Sequence, residues 1–301
     1  MKPQFDNQIM SSMLLWFDNK LLTKGEAFQN TTGQFYSVSD DYYGYYAFAS
    51  SYSQIVSDAS IAGGVLPTGG ADVLPSTPGL YIGGTFVDVG TPPLEAIDYN
   101  NGRCYLNQSN SSDITGSFAI KDFNVFLTNQ TEDEILFQSQ YTNRNQISGI
   151  VPTGLEPDTK TYPVVYLKND GSYNEPFAFG GQDNTVMNIR AIVVADSQFE
   201  VDAIGSIFRD QRMTNIALFD EADMPFNSFG GYRNDVQYNY TGIAATKNDS
   251  QQMFLEDVNV SRFDRTLENE VRKFNPNVYS TIIDFEVNKI TPDDDTLKLL
   301  S

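Results

Sequence analysis

Residues 184–209 read NTVMNIRAIVVADSQFEVDAIGSIFR, and the point where this stretch changes period decides the fold class. Up to Asp196 it is rich in Val and Ile, the composition of a buried strand. At Ser197 the pattern shifts. Ser197 and Glu200 form an S-x-x-E capping box, and Phe199, Ala203, Ile204, Ile207 and Phe208 recur at helical spacing. The reading is a strand over 184–196 followed by a helix from Ser197 to Arg209, its apolar face turned to a core.

Working outward, YPVVYLK (162–168) and TNIALF (214–219) read as short buried strands on either side of this unit. QMFLEDVNVSRF (252–263) and NVYSTIIDFEVNK (277–289) follow as longer ones. In the last, Tyr279, Thr281, Ile283, Phe285 and Val287 share one face, while Ser280, Asp284 and Glu286 share the other. VQYNYTGIAA (236–245) is also read as a strand. Ser117 to Leu127 reads as one strand with a bulge at Lys121-Asp122, where the alternation slips. TNQTEDE is an acidic turn after it, and ILFQSQY (135–141) its pairing strand. Near the start, LLWFDNKLL suggests a short helix leading into an extended arm, and residues 61–93, dense in Gly and Pro, suggest long loops around the strand-like LYIGGTFVDV. One strongly marked helix among many strands predicts an α+β fold, mostly β, with a largely antiparallel sheet and a helix packed on it. The segment 142–160 breaks the pattern. It divides a β-rich 1–145 region with arms and loops from a 146–290 α+β region, with 291–301 a polar tail.

Two phrases nearly repeat, IAGGVLPTGG (61–70) and ISGIVPTGL (147–155). Leu66-Pro67-Thr68-Gly69 lacks the spacer of a sortase signal, and no apolar, basic-ended segment follows either copy. They read as two similar turns entering two similar strands, with an ancient duplication of the two halves as the alternative.

Composition narrows the chemistry. The 301 residues carry 19 Lys and Arg against 39 Asp and Glu, a formal charge of −20, with no His and one Cys, Cys104. Such a field repels nucleic-acid backbones and anionic lipid surfaces. Without His, and with one Cys, Ser-His-Asp and Cys-His catalysis, intrachain disulfides and Cys/His zinc sites are unavailable. The apolar stretch Ile9 to Phe17 is interrupted by two serines and preceded by Asp6, unlike a signal peptide. No EF-hand spacing occurs in the acidic runs, and Gly180-Gly181 and Gly230-Gly231 do not support a phosphate-binding loop. No catalytic residue, cofactor or metal site is expected, and no membrane partner. A carboxylate-based hydrolase stays open as a third reading.

Two segments suggest contacts with other protein. SDDYYGYYAFASSY crowds five tyrosines around Gly44. Aromatics alternating along a strand pair account for this, as does an interface, where Tyr is enriched. Tyr42, Tyr43, Tyr45 and Tyr46 are therefore candidate subunit contacts. Arg262, Arg265, Arg272 and Lys273, interleaved with Asp264, Glu268 and Glu270, form a second candidate, a mixed-charge segment suited to setting register between neighbours.

The run from YTNRNQISGIVPTGLEP through IFRDQR (141–212), then MPFNSFGGYRND (224–235) and NPNVYSTIIDFEV (275–287), resembles virion structural proteins of large contractile-tailed bacteriophages. FDNKLLTKGEAFQNTTGQFY (17–36) shares the likeness more faintly. These proteins belong to the neck and tail-completion region, and the order of strands around one helix is similar to tail-terminator folds. The resemblance implies a protein that is not an enzyme, forming or joining a ring of identical subunits, most simply a hexamer, in contact with other neck, connector or tail proteins. Genome DNA would pass its lumen without specific binding. It implies assembly in the host cytoplasm and a place in the virion. The alternative of a different class is a peripheral fibre, adhesin or decoration protein binding a host receptor.

Overall fold

Strands alternate with turns along most of the described residues, and two large sheets and one two-stranded pair result. The computed structural model describes residues 5–52, 54–63, 78–138, 141–143, 160–178, 182–220, 222–225, 238–262 and 278–292. In chain order the elements are α1 (Phe5–Lys24), β1 (Phe28–Tyr42), β2 (Tyr45–Ser50), β3 (Gly79–Ile82), β4 (Thr85–Asp88), β5 (Leu94–Asp98), β6 (Arg103–Leu106), β7 (Ile114–Lys121) and β8 (Asn124–Leu127). A π-helical turn, Glu134–Gln138, precedes β9 (Tyr141–Asn143), β10 (Lys160–Tyr162), β11 (Val164–Ala178), β12 (Gln182–Ala195) and α2 (Gln198–Arg209). Then come β13 (Thr214–Ala217), α3 (Tyr240–Ala245), a 3-10 turn, β14 (Gln252–Ser261) and β15 (Tyr279–Pro292). The fold is α+β and mostly β.

A seven-stranded sheet runs β4-β3-β7-β1-β2-β6-β5, and a six-stranded sheet runs β13-β14-β15-β12-β11-β8. Neighbours are antiparallel except β8, which lies parallel to β11 from Val164↔Asn124 to Leu167↔Leu127. The small β9-β10 pair is also parallel. The first 145 residues supply both sheets: β1 to β7 build one, while β8 and α1 complete the other.

The strand-to-helix change at Ser197 is present as expected. The Ser197 hydroxyl accepts from the Glu200 backbone N–H, and α2 runs to Arg209. Its buried face, however, is Val201, Ile204, Gly205 and Phe208. Phe199 is 84% exposed and Ala203 is exposed, contrary to the face expected from spacing. The buried stripe 201, 204, 205 and 208 runs one notch around the helix from that spacing, because Gly205 takes part in it as a position of close approach. The absent side chain of Gly205 is what lets α2 approach β14: a Cβ there would stand 3.1 Å from Val260 Cγ1.

The larger departure is α1, a 20-residue helix where a short one was expected. It packs beside α2 on the same face of the six-stranded sheet, and Trp16 and Phe17 are buried against Phe208 and Phe285. Phe17 stacks on Phe208 with centroids 3.9 Å apart. The receiving sheet face is the inward row Met187, Ile189, Ala191 and Val193 of β12 with Ile283, Phe285 and Val287 of β15. That row in β15 is the one read from alternation. Burying each large side chain contributes about 1.5–3 kcal/mol. Because α1 is covered nearly all round, it shows no polar stripe, the usual mark of a surface helix.

Three other expectations change. Ser117 to Leu127 is two strands, not one bulged strand: β7 ends at Lys121 in one sheet and β8 starts at Asn124 in the other. The Asp122 N–H bonds to the Ala27 carbonyl at the crossing (2.8 Å). ILFQSQY begins in the π-helical turn, and Ile135 and Leu136 cover Tyr166, Ile192, Val194 and Ile282 on the outer face of the six-stranded sheet. Residues 240–245 are helical, not extended, because Asn239 caps Gly242 N–H (2.7 Å) and Asp58 accepts from Tyr240 N–H (3.1 Å). LYIGGTFVDV is a hairpin of β3 and β4 within the seven-stranded sheet. Most of both near-repeated phrases lies outside the described residues.

Side chains complete the backbone pairing that the strands leave unfinished. The Gln54 carboxamide accepts from Val125 N–H (2.9 Å) and donates to the Val125 carbonyl (2.9 Å), standing in for a strand beside β8. On α1, Gln8 donates to the Phe219 carbonyl (2.8 Å) and the Ser12 hydroxyl accepts from Phe219 N–H (2.9 Å). An unpartnered strand edge invites foreign strands, and buried backbone groups left unpaired are costly, so both devices hold the core closed.

Candidate functional site

The Tyr-rich segment is the tip of the β1–β2 hairpin. Tyr42 pairs with Tyr45 across a two-residue turn in which Tyr43 (φ 54°) and Gly44 (φ 88°) are both left-handed. This geometry matches the right-handed twist of the strands, and Asn-Gly is its favoured sequence. Glycine adopts that φ freely. A bulky L-residue there costs on the order of 1–2 kcal/mol. Tyr43 therefore occupies a position its backbone disfavours, and its ring stands 91% exposed. Tyr45 is 38% exposed. Tyr46 turns the other way and packs partly buried against the core of the seven-stranded sheet with Tyr52 and Val87. The side chain of Tyr42 is outside the described residues. The cluster thus divides: Tyr43 and Tyr45 face outward, and Tyr46 is structural.

Of the mixed-charge candidates, Arg262 is exposed at the end of β14 and reaches Asp202 on α2, with Nη2 3.0 Å from Oδ1. Arg265, Arg272 and Lys273 lie outside the described residues, as do Gly180-Gly181 and Gly230-Gly231. The hairpin tip and Arg262 sit on different sheets.

Sequence reading missed the polar half of the outer face of the six-stranded sheet. Arg190 Nε donates to Asp284 (2.6 Å), Nη1 to Glu132 (2.7 Å), and Nη2 lies 3.5 Å from Asp170. Lys168 stands 3.8 Å from Glu132 and 3.6 Å from Asp170. The hydrogen bonds to Asp284 hold the Arg190 guanidinium above its ordinary value, although partial burial opposes this. Beside it opens a polar depression of about 300 Å³, lined by Asn188, Arg190, Asp257, Asp284 and Glu286 among others. The available signal was the alternation of Asn188 and Arg190 with Ile189 and Ala191 inside an otherwise apolar strand. A second depression of about 240 Å³ lies between α2 and β14, lined by Val201, Asp202, Gly205, Ser206, Arg209, Val260, Arg262 and Thr281.

Charge is also buried where the sheets meet. Lys121 Nζ of β7 lies 2.7 Å from Asp18 Oδ1 of α1, both nearly inaccessible. Burial raises the Asp18 carboxyl above its ordinary value, and Lys121 offsets part of that. Asn19 of α1 donates to Asp58 (2.9 Å), whose carboxylate also accepts from Ser60 and Tyr240 N–H. Cys104, wholly buried in β6, has its thiol pushed well above the usual range by desolvation. It is placed as a core residue. Among the described residues, no group of three or more Cys, Asp or Glu side chains is arranged to hold a metal ion, and no helix is long and apolar enough to cross a membrane. Comparison with protein-family models, with characterised proteins and with solved structures finds no match for this chain.

Proposed function

We propose that this chain is a structural virion protein of a tailed phage, forming or joining a ring at the neck or head-proximal end of the tail through protein–protein contacts. The observation that carries an assembly role is Tyr43, held in a left-handed turn that disfavours it with its ring displayed to solvent at the end of a hairpin. A sparsely populated backbone conformation at an exposed aromatic points to a role at a surface contact, and recognition surfaces are enriched in Tyr. The phage assignment itself rests on the sequence likeness of residues 141–287. A charge of −20 agrees with a lumen past which DNA slides, since like charge offers it no binding well. Partners are then identical subunits and adjoining neck, connector or tail proteins.

The test is the mass of the purified protein in solution together with negative-stain images, and antibody labelling of phage particles. Closed rings, or label at the neck, support the proposal. Label at fibre tips with a trimeric solution mass would replace it with the receptor-binding reading, to which an exposed Tyr tip is equally suited. Particles without the protein would overturn both.

A further inference from the structure

Asp18 and Lys121 stand in the arrangement from which an amide forms. Lys121 Nζ lies 2.7 Å from Asp18 Oδ1, and the side chains of Lys121 and Asp18 keep only 4% and 3% of their surface open to solvent. They meet across 103 residues of sequence, from α1 on the six-stranded sheet and β7 in the seven-stranded one. The neighbourhood is apolar. Leu22, one helical turn after Asp18, and Ala119, two residues before Lys121 on β7, pack with Val56 and Ile61.

Three features favour condensation. Burial penalises both charges, so moving a proton from the ammonium to the carboxylate removes two buried charges at once. A second buried carboxylate, Asp58, acts on Asp18 in the same direction, as like charge does. Finally, an amine and a carboxyl held in contact by the surrounding fold behave as though concentrated to about 10⁵–10⁸ M, and the closed site keeps out the water that would reverse the step.

We propose that Asp18 and Lys121 condense to an intramolecular amide in the folded chain, the ion pair of newly folded protein being its precursor. The ammonium first passes a proton to the carboxylate, leaving an amine and a carboxylic acid. The amine nitrogen attacks Asp18 Cγ and the Nζ–Cγ bond forms. One C–O bond breaks, and the hydroxyl departs with a proton from the nitrogen as one water. The step consumes no oxidant, reductant or co-reactant. Its product ties a helix on one sheet to a strand of the other and, like a disulfide over a long loop, restricts chiefly the unfolded chain. It concerns a single subunit and is independent of the ring reading.

The test is the intact mass of the full chain under denaturing conditions, taken on fresh protein and again through prolonged incubation in native buffer, followed by tryptic digestion. A species lighter by one water is expected to accumulate. Its digest should contain a branched peptide in which position 121, no longer a cleavage site, is joined to position 18. Lys121→Arg keeps the positive charge without the amine and should lose no water. A wild-type mass that stays at the sequence value throughout overturns the proposal. So does a water loss that maps to another peptide, such as a cyclic imide at Asp170-Gly171, or one that persists in Lys121→Arg.

Discussion

The Asp18 carboxylate and the Lys121 ammonium meet at 2.7 Å where α1 of one sheet's core touches β7 of the other sheet. Both charges are almost wholly removed from water, so each depends on its partner. Lys121→Met, which strands a buried carboxylate, should cost about 3–5 kcal/mol, whereas the double variant Asp18→Asn with Lys121→Met should recover most of it. Urea unfolding of the set provides the check; a double variant as unstable as Lys121→Met would show that the pair is not the cause.

The same carboxyl gives a pH signature. Burial raises Asp18 in the folded chain, so between its ordinary value of 3.8 and the raised value the folded state holds a proton that the unfolded state has released. Its contribution to stability therefore falls as pH rises through that window. In Lys121→Met the offsetting ammonium is gone, and acidification should shrink the deficit relative to wild type. A deficit that widens in acid would contradict the assignment.

Gln54 replaces a strand. Gln54→Ala removes both partners of the Val125 backbone, and leaving buried groups unpaired costs about 1–3 kcal/mol each. A loss of about 2 kcal/mol or more is expected in thermal or denaturant melts, with faster amide exchange at Val125 than in β12. Unchanged exchange at Val125 would mean that water serves as well.

At the hairpin tip, Tyr43→Asn keeps a residue that tolerates the left-handed turn and deletes the ring. Stability should stay level or rise by up to about 1 kcal/mol, while self-association falls. A lower melting temperature would place the ring in the subunit's own packing instead.

Arg190 ties three acidic residues across the outer sheet face. Since its surroundings are partly wet, Arg190→Gln should cost only about 1 kcal/mol, more at low than at high ionic strength. Equal cost at both salt concentrations would count against a charge effect.

The N-cap at Ser197, the two faces of β15 and the hairpin around Gly44 were legible in the residues, because each is set by neighbours a few positions away. Ser197 caps Glu200 within one turn, and alternation in a half-buried strand repeats every second residue. The full length of α1 was not legible, because a helix buried on all sides carries no amphipathic stripe. The break at Lys121-Asp122 looked like a bulge because a slip in alternation reads the same whether a strand bends or changes sheet.

By itself the sequence determined the chemistry on offer: a strongly acidic chain without His, a mostly β pattern, and a Tyr-rich segment around Gly44. Tertiary structure decided the rest. It separated Tyr43 and Tyr45 from Tyr46, set Arg190 against Glu132 and Asp284 from 58 and 94 residues away, and joined Asp18 to Lys121 across 103. Contacts over such separations follow from which strands pair, as β12 with β15, and from how α1 comes to lie against β7, and no local propensity encodes that path.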